Sequence, residues 1–138
     1  MLTASRSVLL ACAILFGAQH AYPCKCAQQS AEKRFKEAEA VFVGEVVAVS
    51  RDTAKRTMAI NFKVEEYWKG VTYREVLVVS TLPGPGSCGL RVEVGEKFLV
   101  YASRNKQLQT SLCSSRPLKA ATDDLKKLGK GKVLKPRH

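Results

Sequence analysis

The chain has 138 residues, one domain's worth once an export signal is removed, with 23 Lys and Arg against 12 Asp and Glu. Its two histidines are His20 and the terminal His138, so no Ser or Cys nucleophile in the mature chain has an imidazole base beside it. That composition excludes hydrolytic chemistry of the usual kind and points to a basic, non-enzymatic protein.

Residues 1–21 read as the export signal. Met1 to Arg6 carries one positive charge, and Ser7 to Ala18 is apolar or small, with Val8, Leu9, Leu10, Ile14, Leu15 and Phe16. Ala21 suits a signal peptidase, with a later cut before Cys24 as the other boundary. The apolar run is about twelve residues, short of the roughly 20 that a spanning helix needs. Leu9-Leu10-Ala11-Cys12 loosely resembles a lipoprotein box, but the apolar run before it is too short, so cleavage is expected rather than lipidation at Cys12. Without Arg6 the 23 basic residues become 22 against 12 acidic, a mature net charge of +10.

Cys24, Cys26, Cys88 and Cys113 remain, an even count that reads as two disulfides with three pairings open. A Cys-x-Cys also occurs in metal sites, but tetrahedral zinc usually takes two tightly spaced pairs, and no second close pair is present. Loops of the length these spacings close stabilise a fold by roughly 4 kcal/mol.

In chain order, Ser30 to Ala38 predicts a helix with Ala31 and Phe35 on one face. Val41 to Val49 is rich in β-branched residues and reads as a strand, with Gly44 as a bend or bulge. Arg51 to Arg56 is a polar turn. Met58, Ile60, Phe62 and Val64 then alternate with Thr57, Ala59, Asn61 and Lys63, the pattern of a half-buried strand closed by Tyr67, Trp68 and Gly70. Glu75 to Thr81 predicts a third strand, and Pro83 to Gly86 punctuate the loop of residues 82–89. Val92 to Val100 reads as strand, with Lys97 to Ala102 the main part, and Leu108 to Ser111 a short fifth. A helix over Lys119 to Leu128 stops at Gly129 and leads into a frayed basic tail. Five or so short antiparallel strands imply a barrel or sandwich.

Gly84-Pro85-Gly86-Ser87-Cys88-Gly89 matches the dinucleotide fingerprint only in letters. That motif needs a helix to follow, and Pro85 removes an amide donor, so no cofactor is expected. Glu65 and Glu66 are neighbours on a strand and face opposite ways, which denies them a joint acid–base role. Tyr67, Trp68 and Tyr101 offer stacking faces for nucleobases, with core or rim packing as the plainer reading. In the tail, Lys119, Lys126, Lys127, Lys130, Lys132, Lys135 and Arg137 face only Asp123 and Asp124. This is a solvated end, or a surface for nucleic acid, anionic lipid or polysaccharide.

Cys24-Lys25-Cys26, a strand over Ala40 to Val49, Phe62 to Gly70 ending in Tyr67-Trp68-Lys69-Gly70, Ser87-Cys88-Gly89, Val94 to Val100, and Thr110 to Cys113 follow in order. Together they resemble the amino-terminal domain of the tissue inhibitors of metalloproteinases and the related netrin-like modules, over about Cys24 to Leu118. The resemblance implies an all-β fold, a five-stranded Greek-key barrel of the OB type with flanking helices, stapled by Cys24–Cys88 and Cys26–Cys113. Residues 119–138 would follow this domain as a helix and basic tail. The resemblance further implies a secreted monomer whose partner is a zinc metalloendopeptidase. On that likeness the free amine and carbonyl of Cys24 chelate the protease's zinc, displacing the water it activates. Lys25 enters the pocket just past the cut, Cys26 completes the wedge, and Ser87, Cys88, Gly89 and Leu90 flank it.

The chain departs from the family at three points. The third barrel disulfide and the cysteine-rich carboxy-terminal domain are missing. Lys25 stands where a small polar residue is usual, and a long cation suits an acidic or open pocket better than an apolar one. A cut after Ala21 leaves Tyr22-Pro23 ahead of Cys24, and an amide nitrogen does not chelate as an amine does. The alternative function is a netrin-like binding module without inhibitory activity.

Overall fold

The structure is a computed structural model that describes residues 24–136. The expected signal peptide, Cys12, Tyr22-Pro23, Arg137 and His138 lie outside the described residues.

Helix α1 (Ala31–Glu37) is capped by Ser30, whose hydroxyl accepts from the Lys33 amide at 3.1 Å. Strands β1 (Ala40–Asp52), β2 (Thr57–Lys69), β3 (Glu75–Thr81), β4 (Lys97–Arg104) and β5 (Leu108–Gln109) follow, with a two-residue β6 (Arg116–Pro117). A 3-10 turn (Leu118–Ala120) then leads into helix α2 (Thr122–Leu128). The strands pair in the order β1-β2-β3-β5-β4, and β4 returns to β1, which closes a five-stranded barrel. All of these pairings are antiparallel except β3 with β5, where Val79 meets Gln109 in parallel. The fold is therefore all-β, OB-like, with two flanking helices and two disulfides.

Closure rests on β1. Its residues Ala40 to Glu45 pair with β4, while nearly its whole length pairs with β2. Register shifts beside Phe42, Gly44 and Ala48 coil the strand enough to serve both neighbours. Gly44 sits at one of them, where a Cβ would stand 3.1 Å from the Phe42 ring and 3.2 Å from the Lys63 carbonyl oxygen. The bulge expected at this glycine is present.

Inside the barrel Phe42, Val46, Met58, Ile60, Phe62, Val78, Phe98 and Val100 are fully buried. Phe62 meets Phe42 and Phe98 edge to face, at 5.6 and 6.3 Å between ring centroids. A second cluster covers the outer face of β1 and β4. There Val41, Val43, Leu99 and Tyr101 pack against Ala38, Phe35, Ala121, Leu125 and Leu128 from the helical segments. Burial on both faces explains why β1 reads as a continuous apolar run instead of alternating.

Four expectations are corrected. Residues 89–93 are irregular and a turn follows at Val94-Gly95, so β4 begins at Lys97, not Val92. The fifth strand ends at Gln109, and the last helix starts at Thr122 after the 3-10 turn. The polar segment after Val49 is partly strand, since β1 runs on to Asp52. The basic tail is not frayed over its described length. Tyr67 and Lys132 exchange backbone hydrogen bonds at 2.9 and 2.7 Å, the Gly131 amide donates to Glu66 Oε1 at 2.6 Å, and Leu134 packs on the barrel core.

Candidate functional site

The Cys24–Cys26 segment is an exposed edge tied down at both ends. Cys24 is bonded to Cys88 and Cys26 to Cys113, 64 and 87 positions away, with Cα atoms 5.1 and 5.2 Å apart. The bridges adjoin one another, with Cys24 Sγ 3.6 Å from Cys113 Sγ. Lys25 projects into solvent between them and forms no ion pair among the described residues.

Each receiving loop is held by its own hydrogen bonds. In the first, the Ser87 hydroxyl donates to the Leu82 carbonyl at 2.6 Å and accepts from the Gly89 amide at 3.0 Å. The Leu82 amide donates to the Arg56 carbonyl at 3.0 Å, which seats the loop on the β1–β2 hairpin. Gly89 is buried against the backbone of Thr81 and Leu82, where a Cβ would collide. In the second loop, the Leu112 amide donates to the Cys88 carbonyl at 3.0 Å and the Cys113 amide to Ser111 Oγ at 3.2 Å. The two loops are thus bonded to each other as well as to the edge.

Of the residues proposed for the wedge, Cys24, Lys25, Cys26, Ser87 and Cys88 come together at this corner. Gly89 is buried, and so is Leu90. It is 3% exposed, belongs to the barrel core, and its amide donates to Ser80 Oγ at 2.9 Å. Leu90 anchors the loop from below because a branched apolar side chain gains more inside the barrel than on a rim. Sequence reasoning missed Leu112, which is 40% exposed beside Cys113.

Behind the edge lies a charged cluster that sequence reasoning also missed. Asp124, expected as a solvated tail charge, is buried. It accepts from Arg34 at 2.7 Å and from the Tyr101 hydroxyl at 3.1 Å, with Arg116 3.7 Å away. The Arg34 guanidinium also lies over the Tyr101 ring, 5.5 Å from its centroid. Burial, and next the negative charge of Asp124, push the Tyr101 hydroxyl up to about 12. Acidic residues three to four positions before a lysine pair are ordinary on exposed helices, so the sequence carries no local signal that Asp124 turns inward.

The stacking faces proposed for nucleobases are engaged in packing. Tyr101 is 2% exposed, Trp68 donates its indole N–H to the Gly129 carbonyl at 3.1 Å, and Tyr67 packs on the core. Glu65 pairs with Lys97 at 2.7 Å while Glu66 holds the Gly131 amide, so the two carboxylates do diverge. No helix among the described residues is long and apolar enough to cross a membrane.

Comparison with known proteins finds no family model and no curated protein that matches this chain. The likeness to the metalloproteinase inhibitors rests on the motif residues themselves.

Proposed function

We propose that this protein is an exported inhibitor of zinc metalloendopeptidases, with the Cys24–Cys26 edge as its wedge. The observation that carries the reading is the double tether, two adjacent disulfides clamping a three-residue exposed edge to two separate loops. A segment so held loses little conformational entropy on entering a cleft, and preorganised elements gain affinity in that way. With Cys24 as the mature amino terminus, its amine and carbonyl oxygen are the donors for the target's zinc, in place of the water that the metal activates. Lys25 then follows the metal-binding residue into the substrate side-chain pocket. Its charge favours a target whose pocket is acidic or open, because an apolar one would strip its hydration. Ser87 and Cys88 flank the wedge, with Gly89 and Leu90 as the supports beneath them. Two disulfides fit an oxidising destination, outside the cell or in a periplasm.

The test is the intact mass and amino-terminal sequence of the exported chain, followed by titration of zinc endopeptidases with it. A start at Cys24, a mass four hydrogens below the reduced form, and a one-to-one block of a protease are the expected results. A start at Tyr22 or earlier overturns zinc chelation.

The mature charge of +10 favours a second reading, a non-inhibitory netrin-like module that binds a polyanion. Such binding falls steeply with added salt, whereas chelation does not.

A further inference from the structure

We propose that the same four cysteines, once both bridges are reduced, form a tetrahedral thiolate site for a zinc-class divalent ion. Disulfide pair and metal are then alternative occupants of one corner. This proposal stands on the positions of the sulfurs and not on the inhibitor reading.

A structural tetrahedral site usually takes four ligands in two close pairs, and the sequence holds only one, Cys24 and Cys26. The fold makes the second in space. Cys88 and Cys113 are brought side by side from separate loops by the hydrogen bond from the Leu112 amide to the Cys88 carbonyl. The Sγ atoms of Cys24, Cys26 and Cys113 lie within 4.8 Å of one another, and Cys88 Sγ is bonded to that of Cys24. With zinc–sulfur bonds of about 2.3 Å, the sulfurs of a tetrahedral site stand about 3.8 Å apart. The unbonded pair Cys24 and Cys113 is already at 3.6 Å. The two bonded pairs must separate by about 1.8 Å each from a disulfide length of about 2.0 Å, and Cys88 Sγ, which lies outside the 4.8 Å group, must turn in toward Cys26 and Cys113 by side-chain rotation.

The surroundings suit the charge. Zinc with four thiolates carries two net negative charges. Lys25 lies between the ligands, and Arg34 and Arg116 line the cleft shared with Cys26 and Cys113. Cys26 is exposed and the other three are half-buried, so reductant and ion can both reach them. Neither core cluster contains any of the four cysteines, so the barrel keeps its apolar packing when the bridges open.

The chemistry balances with a phosphine as reductant. Each bridge accepts two electrons and two protons to give two thiols, while one phosphine takes the oxygen of one water and becomes the oxide. Binding of the ion then releases four thiol protons to the buffer.

The test uses the mature exported chain, reduced by a phosphine without oxygen, freed of reductant and titrated with Co(II) alone. One cobalt per chain is expected, with thiolate-to-cobalt charge-transfer absorption and tetrahedral ligand-field bands that one equivalent of Zn(II) removes. The oxidised chain should show none. Cys88→Ser and Cys113→Ser should each lower cobalt affinity at least tenfold, while near-ultraviolet circular dichroism from Trp68 and the tyrosines stays native. Absence of tetrahedral bands overturns the proposal. So does equal binding by either serine variant, which would leave that cysteine out of the site, or by the urea-unfolded chain, which would make the fold irrelevant to it. A reduced chain that unfolds and is not restored by the metal also overturns it.

Discussion

Arg34 and Asp124 stand 90 positions apart and meet at 2.7 Å, joining the first helix to the last across Tyr101 of β4. Because Asp124 is buried and the Arg34 side chain is only 10% exposed, this contact is a clamp on the outer face of the barrel rather than a surface ion pair, and it sits directly behind the cleft beside Cys26 and Cys113.

Asp124→Ala leaves Arg34 buried without its counter-charge and strips Tyr101 of its acceptor. Removing one partner of a buried pair costs about 3–5 kcal/mol. Urea unfolding of the variant should show a loss of that size, and a midpoint equal to the parent's would refute the clamp.

Tyr101 gives the protein an alkaline limit. Its hydroxyl is held up to about 12 against an ordinary 10.0, so between those values the folded chain binds a proton that the unfolded chain has lost. Stability from this group is complete below pH 10 and falls as pH rises toward 12, by at most about 1.4 kcal/mol per pH unit. Urea midpoints measured across that range should slope downward in the parent. In Tyr101→Phe the slope should flatten.

Two glycines of the loop around Cys88 should respond unequally to alanine. Gly89 presses on the Thr81 and Leu82 backbone, and Gly84 has nothing within 4 Å of an added Cβ. Gly89→Ala should destabilise by about 1–3 kcal/mol through overpacking, and Gly84→Ala by less than about 0.5 kcal/mol. Thermal melts of the two variants separate these outcomes, and equal melting temperatures would contradict the packing described for Gly89.

On the proposed function, the wedge depends on a free amine at Cys24. One alanine added ahead of Cys24 should abolish the block of a zinc protease while leaving the unfolding midpoint unchanged, since neither core cluster contains Cys24. Undiminished inhibition by the extended chain would remove chelation as the mechanism.

Much of the barrel is legible in the chain because its signals are local. The alternation of Met58, Ile60, Phe62 and Val64 needs only the two-residue period of a strand with one face in the core. Gly44 marks the bulge, and Gly129, at φ 70°, ends the last helix. Val92 misled because an apolar β-branched residue can be buried from a loop, and it caps the barrel core without joining a strand. Leu90 is likewise buried from a loop, beside the candidate site.

The sequence by itself determined the strand succession and an even cysteine count after Tyr22-Pro23 that reads as two bridges. Residues alone left three pairings open, and a family resemblance implied the pairing that the structure has. Only the tertiary structure decided that the two bridges touch, that Asp124 turns inward to Arg34, and that Gly131 and Lys132 are pinned to β2. Those contacts link residues 60 to 90 positions apart, and they exist because β1 coils far enough to pair with both β2 and β4. Local periodicity carries no record of where a closed sheet brings its distant loops together.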